Sequence, residues 1–391
     1  MSAIQSADFV VVGAGIAGAS AGYWLAQHGR VLLLEQEAQP GYHATGRSAA
    51  MFVTSYGPPQ VRALSQASRA FFEQPPSGFC ESALLTPRGT LTVAQPGQQD
   101  LLDAHWQVID AMAVGAQRLD AQQACAMVPV LRAECVLGAV FEPDASDIDV
   151  HTLHQGYLRG LRRVGSQVLC DAKVTAITRH GALWHVQAGA HCYQAPVLIN
   201  AAGAWCDQVG ALAGARPLGL VPKRRSAFVF APPAGLDCTR WPLCLGADES
   251  WYFKPDAAQL LGSPANADPV VPQDVQPEEL DIALGIDRIE AITTLQIRRP
   301  TRTWAGLRSF VADGELVCGW DPAVSGFFWL AAQGGYGIQT SAAVGQVCAA
   351  LAQGQALPES LRRWGVNAQL LSPVRLHAQA PQAWPQAPAP M

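Results

Sequence analysis

The sequence predicts an α/β protein that begins with a strand, a helix and a second strand. Phe9–Val12 are apolar and mostly β-branched, which is typical of a buried strand. Residues 15–27 form an amphipathic helical segment, and Val31–Leu34 return to strand-like residues. This order of elements is that of a βαβ unit, the core of an α/β fold.

Three glycines mark the turn between the first strand and the helix. Gly13, Gly15 and Gly18 take the places of the dinucleotide fingerprint, which need a tight turn, close approach to a pyrophosphate and close helix packing. Glu35 follows the second strand, where its carboxylate can accept hydrogen bonds from a ribose 2′-hydroxyl and would repel a 2′-phosphate. FAD or NAD is therefore favoured over NADP. A purely structural turn is the alternative, and the complete βαβ context disfavours it.

The composition indicates a well-packed enzyme. The chain has 391 residues, 49% of them hydrophobic and 15% charged, which allows two domains with sizeable cores. A net charge of −5 argues against a nucleic-acid partner. The apolar run at residues 9–27 has glycines at four positions and no preceding Lys or Arg, so we expect neither a membrane span nor a signal peptide.

The cysteines and histidines predict no metal site. Ten cysteines are scattered without a CxxC pair, and we interpret them as reduced and mostly buried, in a cytoplasmic protein. His151 and His154 would share one face of a helix, but two imidazoles without further ligands are more often surface or packing residues.

The remaining pattern predicts helices and strands in interleaved sets. We expect a helix start at residues 49–51. We expect helical stretches at 64–72, 99–130, 147–163, 279–294 and after 331. We expect strands at 90–93, 136–141, 168–179, 183–186, 197–200, 226–230, 250–254, 304–316 and 327–330.

Several of these stretches together resemble the FAD-dependent D-amino-acid oxidase-like superfamily, and within it the bacterial D-arginine dehydrogenases. Besides residues 13–35, the resemblance rests on GYHATGRSAA at 41–50, VLINAAGAW at 197–205, KRRSAF at 223–228, WAGLRSFVADG at 304–314 and AAQGGYGIQTS at 331–341. It implies an α/β fold in which a discontinuous, Rossmann-like FAD-binding domain carries a substrate domain built on a large mixed β-sheet. The FAD-binding domain would comprise residues 1–83, 147–216 and 300–374, and the substrate domain residues 84–146 and 217–299. The Pro- and Ala-rich residues 375–391 predict a disordered tail.

The resemblance also implies non-covalently bound FAD. The residues after 331 would place a second helix N-terminus at the flavin, where its positive dipole end stabilises negative charge. The residues implied to contact the cofactor are Gly13, Gly15, Ile16, Ala17, Gly18, Glu35, Gln36, Arg47, Ser48, Ala49, Val174, Ala202, Gly203, Gly334, Gly335, Gly337 and Ile338. From the residues alone, Arg47 and Ser48 fit an ordinary loop and helix cap equally well.

The substrate-binding residues are likewise implied by the resemblance. Arg225, Arg308 and Tyr252 would hold an amino acid by its carboxylate, Tyr56 would lie over the site, and the carbonyl of Gly335 would accept the substrate amine. The implied reaction is hydride transfer from Cα to flavin N5, giving an imino acid and then a keto acid and ammonia. Without the resemblance, the KRR run would be interpreted as a solvated basic surface.

Two departures from the D-arginine enzymes affect the expected substrate. Those enzymes have a glutamate where this chain has Thr90 and a histidine where it has Met51. Because the glutamate reads a guanidinium, its absence favours neutral or apolar side chains over D-arginine. The alternatives are an oxidase of glycine, sarcosine or another secondary amine, and a catalytically silent flavoprotein subunit. Oxygen and a quinone-like acceptor both remain open as the oxidant.

Overall fold

The structure is a computed structural model that describes residues 4–112 and 115–377. Val374–His377 form a short helix, so the first residues of the expected disordered tail are helical. The rest of that expected tail, residues 378–391, lies outside the described residues.

The described helices, numbered in chain order, are α1 (Ile16–Leu25), α2 (Pro59–Glu73), α3 (Gln99–Asp110), α4 (Ala121–Met127), α5 (Val150–Arg163), α6 (Cys206–Leu212), α7 (Glu279–Ile292), α8 (Gly337–Ala352), α9 (Glu359–Arg362), α10 (Ala368–Leu371) and α11 (Val374–His377). The described strands are β1 (Gln5–Ser6), β2 (Phe9–Val12), β3 (Val31–Leu34), β4 (Met51–Phe52), β5 (Leu85–Pro87), β6 (Thr90–Ala94), β7 (Gln117–Leu119), β8 (Gly138–Glu142), β9 (Ser146–Ile148), β10 (Gln167–Leu169), β11 (Val174–His180), β12 (Leu183–Ala188), β13 (His191–Ala195), β14 (Val197–Asn200), β15 (Val221–Phe230), β16 (Leu243–Gly246), β17 (Tyr252–Asp256), β18 (Gln259–Ser263), β19 (Asp268–Pro269), β20 (Arg302–Phe310), β21 (Val317–Trp320) and β22 (Phe327–Ala331).

Within the described ranges, these strands form sheets of six, nine, four and three strands. The six-stranded sheet has the order β10–β3–β2–β14–β22–β21, and all its neighbours are parallel except β21 and β22. Its strands are apolar on both faces because both faces are covered. Val11 packs with residues of α1, α5 and α8, while Val10 and Val12 pack with α6 and the four-stranded sheet.

Small residues set the distance between α1, α8 and the six-stranded sheet. A Cβ on Gly18 would overlap the carbonyl oxygen of Gly13, and one on Gly345 of α8 would overlap the Ser20 hydroxyl of α1. The Ser20 hydroxyl donates to the carbonyl of Ser341 at 2.6 Å, which joins the two helices across their contact. Gly18 therefore permits α1 to lie close to the turn after the first strand, and Gly345 permits α8 to lie close to α1.

The nine-stranded sheet presents two different faces. Its strands come from residues 90–142 and 221–310, and β15 and β20 pair along their length from Val221–Phe310 to Val229–Arg302. Phe228 and Phe253 point to one face, where they pack with Ile289 of α7. The alternate residues point to the other face, which carries most of the expected substrate-binding side chains.

Two expected helices differ from the observed ones because an aspartate N-cap begins a helix inside each expected stretch. The expected helical stretch at 99–130 is wrong as one element: α3 ends at Asp110, β7 follows, and a capping box between Asp120 and Gln123 begins α4. The stretch at 147–163 begins with strand β9, and α5 starts after Asp149, whose Oδ1 accepts the Thr152 N–H at 2.8 Å.

Three other elements also differ in extent. The expected helix start at residues 49–51 is wrong, since Met51–Phe52 pair with β9 and the helix begins only at Pro59. The expected strand at 168–179 is two strands, separated where Asp171 takes a φ of +52°. The strand expected to reach residue 316 ends at Phe310, ahead of a turn with Gly314 at a φ of +75°.

A Gly18→Ala substitution is expected to lower the free energy of unfolding by about 3 kcal/mol, because the new methyl group collides with backbone that cannot rotate away. A matched control is Gly306→Ala, whose Cβ would meet nothing nearer than 3.6 Å. It should change stability by less than about 1 kcal/mol. Urea unfolding of both variants measures the difference, and equal midpoints would contradict the packing role of Gly18.

Candidate functional site

The first cavity lies where strands β2, β3 and β14 of the six-stranded sheet end. It has a volume of about 220 Å³, and its walls include the segments that directly follow those three strands. In parallel sheets, ligands bind at this edge. The structure brings together at this cavity Gly13, Gly15, Ile16, Ala17, Glu35, Gln36, Val174, Ala202, Gly203 and Gly334 from the sequence prediction.

Two side chains outside the fingerprint fix the backbone of the glycine turn. The Thr45 hydroxyl accepts the Ile16 N–H at 2.9 Å, and the buried His154 Nε2 lies 2.9 Å from the carbonyl oxygen of Ala14. Helix α1 has no side-chain cap at Gly15 and no acidic residue in its first turn. Apart from the Ile16 N–H, which donates to Thr45, its N-terminus presents backbone donors and a positive dipole end to the cavity, as a pyrophosphate requires.

Glu35 lies in the wall of the first cavity. Its two carboxylate oxygens accept the N–H groups of Ala14 at 2.8 Å and Glu37 at 3.1 Å. Burial raises the pKa of the Glu35 carboxyl, and the backbone N–H donors act against that shift. Since a carboxylate has about four acceptor positions, these two bonds leave capacity for a ribose hydroxyl.

A second cavity of about 90 Å³ continues from the first. Ile16, Thr45 and Gln333 belong to the walls of both. Helix α8 begins at this second cavity, with no side-chain cap at Tyr336. The sequence-predicted residues in its wall are Ile16, Arg47, Ser48, Ala49, Arg225, Tyr252, Arg308, Gly334, Gly335, Gly337 and Ile338.

Two arginines meet in the second cavity, and neither forms an ion pair with an acidic side chain of the described residues. Arg225 pairs with Gly306, and Arg308 with Lys223, on the adjacent strands β15 and β20, so both guanidinium groups lie on one face. Burial and the charge of Arg308 lower the pKa of Arg225 to about 10, which leaves it protonated at neutral pH. Among the described residues, neither arginine forms an ion pair with a carboxylate, and Arg225 Nε is buried without a hydrogen-bond partner.

Successive side chains of the KRR run point to opposite faces of β15, so Arg224 and Arg225 have different surroundings. Arg224 points to the face opposite that of Arg225, where its guanidinium binds Asp281 at 2.9 Å and also pairs with Glu278. The run is therefore not a solvated basic surface: one arginine is compensated by acids, and the next points into a cavity without one.

Arg47 lines the second cavity, but its guanidinium is already engaged. It donates to the carbonyl oxygens of Val275 at 3.0 Å and Ala305 at 3.1 Å, and it pairs with Asp274. The indole of Trp304 donates to the Arg47 carbonyl at 3.0 Å. Arg47 thus ties its loop to β20 and to residues 274–275.

Four sequence-predicted residues lie outside the two cavity walls. Gly18 packs behind the turn, and Tyr56 contacts the site through its hydroxyl, 3.5 Å from Arg308 Nη1. Met51 lies in β4, and Thr90 is buried in β6. The expectation that Thr90 leaves its surroundings without a carboxylate is wrong, because its hydroxyl lies 3.2 Å from Oε1 of the buried Glu142.

The sequence prediction missed Thr45, Gln333 and Glu142. Thr45 and Gln333 stand inside the motifs quoted above, each as a polar residue within a run of small residues, which is a usable signal. Gln333 lines both cavities, and its Oε1 atom is buried without a hydrogen-bond partner. Together with Arg225 Nε, it gives the site two unsatisfied polar atoms that a bound cofactor and substrate can satisfy.

Two properties of the described chain concern metals and membranes. Residues 4–112 and 115–377 contain no group of three or more His, Cys, Asp or Glu side chains arranged to hold a metal ion. Over the same ranges, no helix combines the length and apolar character needed to cross a bilayer.

Comparison with known proteins places these features in a family. A family model described as FAD dependent oxidoreductase (DAO) matches residues 8–351. The mitochondrial dimethylglycine dehydrogenase of Homo sapiens is 24% identical over 274 residues, which are 66% of this chain and 30% of that protein. The chain thus spans about a third of the length of this curated relative.

Solved structures show the same fold. Glycine oxidase from Geobacillus kaustophilus matches with a TM-score of 0.80 at 20% identity, over 90% of this chain and 96% of that one. L-α-glycerophosphate oxidase from Mycoplasma pneumoniae, solved with FAD bound, matches with a TM-score of 0.81 at 15% identity, over 90% and 95%. The predicted α/β fold with large mixed sheets and the predicted FAD cofactor are confirmed. The chain belongs to the DAO family of FAD-dependent oxidoreductases.

Proposed function

We propose that this protein oxidises D-amino acids, whose α-carboxylate is held between Arg225 and Arg308. One observation carries the proposal: two guanidinium groups line the second cavity without an ion pair to an acidic side chain of the described residues, and one of them keeps a buried, unbonded N–H. Two like charges in a partly buried site repel each other, so a bound carboxylate relieves the repulsion and accepts charge-assisted hydrogen bonds.

Three further residues would orient this substrate. A Cβ on Gly335 would come within 2.8 Å of Arg308 Nη1 and 3.0 Å of the Tyr56 hydroxyl, so a side chain there would displace the groups that line the substrate site. The Gly335 carbonyl is then available to accept the substrate amine, while Tyr252 and Tyr56 flank the carboxylate. Holding both ends of the amino acid fixes the direction of its Cα–H bond.

The walls of the first cavity would hold FAD through the glycine turn and Glu35. When bound, FAD supplies the acceptor for the hydride that leaves Cα. The N-terminus of α8, at Gly337 and Ile338, places a positive dipole end in the second cavity, where negative charge develops. Water would then hydrolyse the imino acid to a keto acid and ammonia, and oxygen or a quinone-like molecule would act as the terminal acceptor.

The proposal includes the division into an FAD-binding and a substrate domain. The six-stranded sheet would form the centre of the first and the nine-stranded sheet that of the second, with β20 contributing from residues 302–310. We propose the cytoplasm as the compartment, because the ten cysteines lack a CxxC pair and are interpreted as reduced. The preference for neutral side chains was expected because Thr90 is not an acid. Glu142 supplies a carboxylate beside Thr90, so this reason no longer holds.

A second candidate is an oxidase of glycine, sarcosine or another secondary amine. Its support is that similar proteins include a dimethylglycine dehydrogenase and a glycine oxidase. Both candidates use the same carboxylate anchor. A silent flavoprotein subunit has less support, since it would have no reason to keep two charged arginines unpaired in a cavity.

An anaerobic screen separates these candidates. The FAD-loaded protein should lose its visible flavin absorbance when mixed with D-amino acids, and more slowly or not at all with L-amino acids. Faster bleaching by sarcosine or glycine than by any D-amino acid would favour the second candidate. Absence of bleaching by every amino acid and amine would contradict both enzyme proposals.

Replacing either arginine of the anchor with methionine is expected to lower kcat/KM for the best substrate roughly ten- to hundredfold, since each charge-assisted hydrogen bond contributes about 1.5 to 3 kcal/mol. Arg302→Met is the matched control, because Arg302 is exposed on the same strand as Arg308 and contacts Trp304 instead. Arg225→Met and Arg308→Met variants that retain the kcat/KM of the control would remove both residues from the substrate site.

FAD is expected to be bound without a covalent link. Acid precipitation should therefore release all flavin into the supernatant, where its absorbance is measured. Yellow colour that stays with the washed pellet would show a covalent attachment and contradict the expectation.

A further inference from the structure

A carboxylate outside both cavities holds the helix that follows Tyr56. The turn after β20 brings Glu315 to the N-terminus of α2, where its Oε1 atom accepts the Gln60 N–H at 2.9 Å. Helix α2 has no side-chain cap of its own, because its N-cap is Pro58 and residues 59–62 include no acid. Glu315 therefore supplies the acceptor and the negative charge that the first turn of α2 lacks.

The same turn also holds the tyrosine ring that packs against Tyr56. The carbonyl oxygen of Gly314 accepts the Tyr336 hydroxyl, and the rings of Tyr336 and Tyr56 lie with their centroids 5.9 Å apart. Gly57, at a φ of +94°, fits between α2 and this ring: a Cβ there would lie 2.7 Å from Val61 and 3.4 Å from Tyr336. Tyr56 is thus next to two elements, and the turn after β20 fixes both of them.

Strand β20 connects this support to the carboxylate anchor. Arg308 belongs to β20, and the Tyr56 hydroxyl lies 3.5 Å from its Nη1 atom. The turn is itself fixed at its outer side, because Arg375 binds Asp313 at 2.7 Å and donates to the Glu315 carbonyl at 3.0 Å. The position of the Tyr56 hydroxyl relative to Arg308 therefore depends on the contact between Glu315 and α2.

The carboxylate of Glu315 is only partly compensated. Among the described residues, its Oε2 atom is buried without a hydrogen-bond partner. Burial raises the pKa of this carboxyl, and Asp313 adds to the rise, while the backbone donors of α2 and the charge of Arg375 oppose it. The other ionisable groups of the elements around it are Tyr336 before α8 and Arg62 in the first turn of α2. Mildly acidic pH can therefore neutralise Glu315 and weaken the cap.

Building on the proposed function, we infer that Glu315 is a positioning residue for substrate binding that acts through Tyr56. By capping α2, it holds the Tyr56 hydroxyl beside Arg308, where both groups face the carboxylate of the amino acid. Glu315 lies in the wall of neither cavity, so it touches neither the substrate nor the cofactor. It acts on the fraction of molecules in which Tyr56 is in place, and this fraction sets the affinity for the carboxylate.

A double-mutant cycle tests whether Glu315 acts through Tyr56. The readout is the dissociation constant of pyruvate, which carries the carboxylate but has no Cα hydrogen to lose, measured from the absorbance of the oxidised, FAD-loaded protein. Glu315→Ala should raise this constant roughly three- to tenfold, as expected for the loss of one helix cap. In the Tyr56→Phe background, the same substitution should change it by less than about twofold, because the hydroxyl that Glu315 positions is already absent.

The pH dependence separates the charge of Glu315 from its shape. Glu315→Gln keeps an oxygen that accepts the Gln60 N–H but removes the charge. The ratio of its pyruvate dissociation constant to that of the wild type should exceed about two near pH 8 and fall toward one near pH 5, where the wild-type carboxyl is also neutralised. Asp313→Asn is the matched control for the neighbouring acid, and its ratio to the wild type should not follow this trend.

Three results would overturn the inference: equal increases in both backgrounds, variants of Glu315 that bind pyruvate as the wild type does, or a Glu315→Gln ratio that is the same at both pH values. If Glu315→Ala does not fold, Glu315→Gln takes its place in the cycle. Failure of the wild type to bind pyruvate would instead contradict the carboxylate anchor of the proposed function, and the inference with it.

Discussion

The pairing of β15 with β20 is the constraint on which the site depends. It places two guanidinium groups, Arg225 and Arg308, on one face of a sheet, where neither forms an ion pair with an acidic side chain of the described residues and their like charges repel. The same pairing sends Arg224 to the other face, where acids compensate it. The fold thus leaves unpaired positive charge in one cavity, and such charge suits the binding of a carboxylate.

The cofactor side of the site depends on close backbone packing. Because Gly13 and Gly18 lack side chains, α1 lies close to the turn after β2, and Gly345 lets α8 lie close to α1; the first turns of both helices line the two cavities. One N-terminus suits a pyrophosphate and the other a region of developing negative charge. Buried polar side chains such as Thr45 hold the glycine turn in this arrangement.

The sequence predicted the βαβ unit because glycine spacing and apolar runs reflect local geometry. Most of the residues that line the cavities were expected only from the resemblance to a known family. The sequence prediction failed where tertiary contacts decide the outcome. Met51 pairs in a strand because β9 lies beside it, and the guanidinium of Arg47 is engaged by residues more than two hundred positions away. Glu142 escaped notice because it becomes a neighbour of Thr90 only through antiparallel pairing of β6 and β8. An isolated acid in a strand gives no local signal of that kind.

The most direct test of the central claim is a crystal structure of the FAD-loaded protein with a 2-oxo acid bound. We predict that the carboxylate oxygens lie about 2.7 to 3.2 Å from nitrogens of both Arg225 and Arg308, with Arg225 Nε now hydrogen-bonded. A carboxylate bound elsewhere, with the two guanidinium groups still facing each other without an anion, would contradict it.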